Sequence, residues 1–181
     1  MTASEAVPAR PQPLDLEDLF RAHHAAMLHA AFRITGKASD AEDAVQSVFL
    51  RLARREEARD YAPSPGAYLR RAAVNAALDL LRSRIAGTES VAGGDLDRAP
   101  GKLPGPDSSQ REQELRSWLR SALARLSPAA AEVFTLHFVE GLANHEIATL
   151  LGKSRTVVNV LLHRARQQLR AQLPQRTGET R

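Results

Sequence analysis

The stretch "ANHEIATLLGKSRTVVNVLLHRAR", residues 143–166, decides the fold. It reads as a short helix, a tight turn at Gly152 and a longer helix, which is a helix-turn-helix pattern. Advancing one hundred degrees per residue splits the longer helix into two faces. Val157, Val158, Leu161, Leu162, Ala165 and Leu169 fall on one side and are expected to form its buried back. Arg155, Thr156, Asn159, His163, Arg166 and Arg170 fall on the other. Arg, Thr and Asn near a helix N-terminus suit base edges and phosphates in a major groove. From this helix alone, a solvated polar face fits as well.

Upstream, "LRSWLRSALARL" (115–126) and "LSPAAAEVFTLHFVEG" (126–141) each carry helical periodicity, the second opening with a Ser-Pro start signal and closing at Gly141. Residues 87–110 break this rhythm with Gly-Gly, Pro-Gly and Gly-Pro pairs, the text of a flexible linker. Before it lies a second helical block. Its first helix opens at "LDLEDLF", with Asp15 as cap and Leu14 stapled onto Leu19. Leu16, Leu19, Phe20, Met27, Ala30, Ala31 and Ile34 mark the stripe expected inside. The next begins at "SDAEDAVQSVFLRL" with Ser39 and Glu42 at capping-box spacing, its core side being Ala44, Val45, Val48 and Leu52. The third follows "PSPGAYL", capped by Ser64, and ends at Ala86-Gly87. Leu69, Ala72, Ala73, Ala76 and Leu80 should face its core; Arg71, Asn75, Leu78 and Arg82 should face out. An amide flanked by guanidiniums can hold an unstacked base or a phosphate strand. Leu50, ringed by Glu42, Asp43 and Gln46, is an apolar anchor candidate for a protein contact.

The expected fold class is therefore all-α: two small helical domains joined by a flexible linker, the second containing the helix-turn-helix. The division is 1–13 disordered tail, 14–86 first domain, 87–110 linker, 111–173 second domain and 174–181 tail. Charge favours the second domain as the polyanion-binding part, with 9 basic and 5 acidic residues over 111–173 against 11 and 10 over 14–85. No cysteine is present, so disulfide and thiolate chemistry are excluded. No apolar run reaches bilayer-spanning length and no signal pattern opens the chain, so neither membrane insertion nor export is expected and a cytoplasmic location fits. His23, His24 and His29 lack ligand spacing and a completing carboxylate, so no metal site is expected. Phosphate-loop, dinucleotide and triad patterns are also missing, so neither a cofactor nor catalysis is expected.

Three of these segments, in this order, resemble the extracytoplasmic-function (ECF) class of bacterial sigma factors, promoter-specificity subunits of RNA polymerase. "DAEDAVQSVFLRLARR" looks like the family's core-polymerase-binding helix, and "YLRRAAVNAALDLLRSR" like its helix for melting and reading the minus-ten element. The segment 126–170 looks like its minus-thirty-five-binding domain. The resemblance implies that 14–86 is sigma region 2 and 111–173 is sigma region 4. It implies that Asp40, Asp43, Gln46 and Leu50 face the clamp helices of the largest polymerase subunit, while the flap of the second-largest subunit is a further partner. Arg71, Asn75 and Arg82, with Asp60 and Tyr61 from the preceding loop, would take up the minus-ten strand. Lys153, Ser154, Arg155, Thr156, Asn159, His163, Arg164 and Arg166 would meet the minus-thirty-five element. An anti-sigma factor is a further candidate partner. Asn159 and Leu161 stand where family members usually carry Lys and Arg, and Ala67 where a tryptophan is common. Asn159 exchanges a charge for an amide suited to adenine. Two alternatives stand beside this reading: a helix-turn-helix regulator acting without polymerase, and a sigma-like interaction module with weakened DNA reading.

Overall fold

The computed structural model describes residues 16–54, 64–90 and 110–173. Among them are seven α-helices and no strand: α1 (Leu16–Thr35), α2 (Ala38–Ala53), α3 (Pro65–Ser90), α4 (Gln110–Arg125), α5 (Pro128–Phe138), α6 (Asn144–Leu151) and α7 (Arg155–Ala171). The all-α expectation holds. Asp15 and Leu14, the two tails and most of the expected linker lie outside the described residues.

Helix α1 buries Leu19, Met27, Ala30, Ala31 and Ile34, with Glu17 and Asp18 in its first turn and Arg33 in its last, matching the helix dipole. Phe20 does not join this stripe: it is 44% exposed and its ring lies edge-on to Phe49 at 4.8 Å between centroids. Gly36, at φ 71°, ends the helix by donating its N–H to Phe32 at 2.8 Å. The turn into α2 is pinned by Thr35, whose Oγ1 donates to the Lys37 carbonyl at 3.1 Å. As a result α2 starts at Ala38, and Ser39 and Glu42 lie inside it, so the expected capping box is not formed. Its core side is Ala44, Val45, Val48 and Leu52 as expected, extended by Ala41 and Phe49. At the start of α3, Ser64 Oγ accepts the Ala67 N–H at 3.5 Å and Pro65 takes the first helical position. The helix continues past Gly87 to Ser90.

Helix α3 is the centre of the molecule. It packs on α1 and α2, and also on α4 and α5 of the second block. Buried apolar residues from both blocks form one continuous core. This explains Leu78, expected to face out and found 1% exposed: it lies on the α3 face that the second block covers. Removing such a side chain from water contributes about 1.5–3 kcal/mol. Arg120 of α4 makes a further bridge between the blocks, its Nη1 lying 2.6 Å from where a Cβ on Gly36 would sit. A cation there complements the C-terminal end of α1. Burial, with Arg116 nearby, lowers the Arg120 pKa.

The second block is built on α5, α6 and α7, which pack on one another. Gly152, at φ 61°, closes α6 in the left-handed region, where a side chain is disfavoured. Ser154 then caps α7, its Oγ accepting the Val157 N–H at 3.3 Å. Val158, Leu162, Ala165 and Leu169 bury the back of α7. Val157, expected with them, is 42% exposed. No helix among the described residues is long and apolar enough to cross a membrane.

Candidate nucleic-acid and polymerase interfaces

On α2 the structure separates the four residues expected to face a polymerase. Asp43, Gln46 and Leu50 are exposed, and their spacing puts them on one side of the helix. Leu50 is 57% exposed, the most of any large apolar side chain among the described residues. Asp40 is not part of this face. Its side chain is buried and accepts a short hydrogen bond from the Arg84 guanidinium on α3. A buried carboxylate needs such a partner, so Asp40 ties α2 to α3.

On α3 the expected strand-binding groups are together, and they are occupied. Arg71 Nε donates to Glu132 Oε1 of α5 at 2.6 Å, and Asn75 Nδ2 donates to the same oxygen at 2.8 Å. Arg71 Nη1 also donates to the Leu150 carbonyl at 3.4 Å, in the last turn of α6. Arg82 lies two turns beyond Asn75 and donates through Nη1 to Asp79 on its own helix at 2.7 Å. A second acid from the second block, Glu140 between α5 and α6, lies 3.7 Å from Arg33 and 3.8 Å from Arg70. Asp60 and Tyr61 lie outside the described residues.

Helix α7 presents a wide polar face. Lys153, Arg155, Thr156, Asn159, His163, Arg164 and Arg166 are all exposed. Ser154 is exposed too, but its hydroxyl is engaged as the helix cap. Arg166 stacks over the Phe138 ring at 5.0 Å. Asn159 is held: its Oδ1 accepts from Asn144 Nδ2, on α6, at 2.7 Å. Asn159 itself is exposed, and its amide nitrogen and second oxygen lone pair are the two groups a bidentate adenine contact uses.

Asn144, Glu132 and Glu140 are functional candidates the sequence reading did not single out. Glu132 carried a signal: in "PAAAEVFTLHF" it is the one acid in a mostly apolar helix, and such a position asks for a cationic partner. Asn144 carried none, since its partner is 15 residues away. Among the described residues no three His, Asp or Glu side chains group as metal ligands.

Comparison with known proteins adds to this geometry. The Sigma-70 region 2 family model matches residues 19–85 and the Sigma-70 region 4 model matches 116–169. RNA polymerase sigma-E factor of Streptomyces coelicolor is 30% identical over 168 residues, covering 93% of this chain and 91% of that protein. The chain belongs to the ECF class of RNA polymerase sigma factors. The ECF sigma factor SigE of Mycolicibacterium smegmatis is 33% identical over 165 residues, covering 91% of this chain and 63% of that protein. The chain thus spans less than two thirds of that sigma factor's length. Among solved structures, CnrH in complex with the cytosolic domain of CnrY is similar at 25% identity and TM-score 0.53, covering 87% of this chain and 86% of that one. The fold is also shared with the sigma factor RpoE of Bartonella quintana, crystallised with the anti-sigma factor NepR, at 19% identity and TM-score 0.51, covering 88% of this chain and 96% of that one.

Proposed function

We propose that this ECF sigma factor binds core RNA polymerase and directs promoter-specific initiation, with no catalysis of its own, in the cytoplasm. The observation that carries the proposal is the ordering of three surfaces on one helical chain. The acid-flanked Leu50 lies on α2, the Arg71 and Asn75 pair on α3, and the exposed basic and amide face on α7. In this reading Asp43, Gln46 and Leu50 meet the clamp helices of the largest subunit, and region 4 meets the flap of the second-largest. Arg71, Asn75 and Arg82 hold the minus-ten strand. Arg155, Thr156, Asn159 and His163 enter the major groove of the minus-thirty-five element, while Lys153, Arg164 and Arg166 position the helix on phosphates. Asn144 fixes the orientation in which Asn159 meets a base. An anti-sigma partner is part of the proposal, supported by the complex of the sigma factor RpoE with the anti-sigma factor NepR.

The direct test is titration of a fluorescently labelled chain with core polymerase. Saturable one-to-one binding that unlabelled chain competes away is the expected result. A chain that binds promoter DNA as a dimer but never binds core enzyme would overturn the proposal in favour of a free-standing regulator.

A further inference from the structure

Helix α7 carries two apolar side chains that its packing leaves in solvent. Val158, Leu162, Ala165 and Leu169 form its buried back. Val160 lies about 140–180° round the helix from each of them, so it points away from the core. Thr156 and Arg164 stand one turn before and after it on the same side, with Asn159 and His163 beside it, and all four are exposed. Val160 is 43% exposed, and Val157, its neighbour three residues back, is 42% exposed. The two valines make a short apolar strip in the middle of the face assigned to the minus-thirty-five element. Valine is a poorer helix former than alanine, leucine or lysine, and at this position it gains little burial in return. What it offers is stiffness: a branched side chain held in essentially one rotamer presents its methyl groups in a fixed place.

We propose that Val160, flanked by Val157, reads thymine by packing against the 5-methyl group that this base displays in the major groove. The occupant of the strip is duplex DNA rather than another protein, on two grounds. Helix α7 carries four arginines and no acid, which complements a phosphate backbone. Two valine surfaces ringed by polar side chains are also far smaller than the apolar centre of a stable protein contact. Among the four bases only thymine carries a methyl group in that groove, so apolar contact selects an A·T pair without a hydrogen bond. Asn159, adjacent in the chain, suits adenine, so the two residues together favour a step that contains A·T pairs. This inference rests on the proposed role of α7 as the reading helix.

The test uses holoenzyme, the full chain bound to core polymerase. Selection from promoter duplexes randomised over the minus-thirty-five element gives the preferred sequence. Each thymine in it is then replaced singly by deoxyuridine, which removes the 5-methyl group and nothing else. At one position this should weaken wild-type binding about three- to fivefold, the scale of one methyl group returned to water. V160A should weaken binding to the thymine promoter by a similar factor and should no longer distinguish it from the deoxyuridine promoter. Thermal unfolding of the free V160A chain should be unchanged or slightly raised, because alanine is the better helix former at an exposed site, so lost discrimination is not lost folding. Wild-type holoenzyme indifferent to every deoxyuridine overturns the inference. So does V160A holoenzyme that discriminates as wild type does, or a preferred sequence with no thymine on either strand. R155A separates this from the underlying assignment. If R155A holoenzyme selects and binds promoters as wild type does, α7 is not the reading helix and that assignment fails. If R155A binding is weakened while deoxyuridine has no effect, only the valine contact fails.

Discussion

Replacing Leu50 by Glu examines the polymerase-binding face at its most exposed apolar residue. Fully burying a leucine side chain contributes about 1.5–3 kcal/mol, and the 57% of Leu50 still open to solvent leaves roughly 1–1.5 kcal/mol for a partner to realise. A carboxylate in the same contact also loses hydration without an assured hydrogen bond, adding about 1–2 kcal/mol against binding. The sum, about 2–3.5 kcal/mol, weakens core-enzyme affinity about 30- to 400-fold. Folding should not suffer, because glutamate is as good a helix former as leucine and Arg54 lies one turn further on to pair with it. Equilibrium competition of labelled and variant chain for core polymerase reads the affinity, and thermal unfolding reads the fold. Affinity within twofold of wild type removes Leu50 from the interface. A large fall in melting temperature instead makes Leu50 a structural residue and refutes the reasoning.

Arg155→Ala should weaken specific promoter binding by about 1–3 kcal/mol while leaving binding to unrelated duplex much less affected, which filter binding on the two DNAs measures. Equal binding by variant and wild type takes Arg155 off the reading face. Asn144→Ala removes the hydrogen bond that orients Asn159, so selection from a randomised minus-thirty-five library should yield a broader preference at one position with little change in total affinity; an unchanged consensus argues that Asn159 orients itself. Arg84→Ala strands the buried Asp40 carboxylate and should cost about 1–3 kcal/mol, less than for a fully buried pair because Arg84 is half exposed. Denaturant unfolding with an unchanged midpoint would mean that Asp40 finds another partner.

Much of the architecture was readable from periodicity and punctuation. The helix-turn-helix, the Ser64 and Pro65 start of α3, the glycine stops at Gly36 and Gly152, and the core sides of α2 and α7 follow from local rules that the folded chain obeys. Most of the departures share one cause. Periodicity divides a helix into faces but does not say how many of those faces are covered. α3 is covered by helices from both blocks, so Leu78 is buried and Arg71 and Asn75 meet Glu132, a residue 57–61 positions away. Asp40 likewise found its partner 44 residues on, in Arg84. Val157 and Phe20 err the other way, apolar residues beside the buried Val158 and Leu19 that stay 42% and 44% exposed. The start of α2 moved because the Thr35 hydroxyl organises the preceding turn, a choice a capping-box spacing does not reveal.

The central claim is that this chain gives RNA polymerase a promoter preference. Transcription from a library of genomic fragments, with purified core enzyme and with or without the chain, tests it most directly. The account predicts new transcript starts that share a two-part upstream sequence, and their loss in the L50E and R71A proteins. A polymerase that binds the chain yet initiates at the same places as core enzyme alone would contradict it.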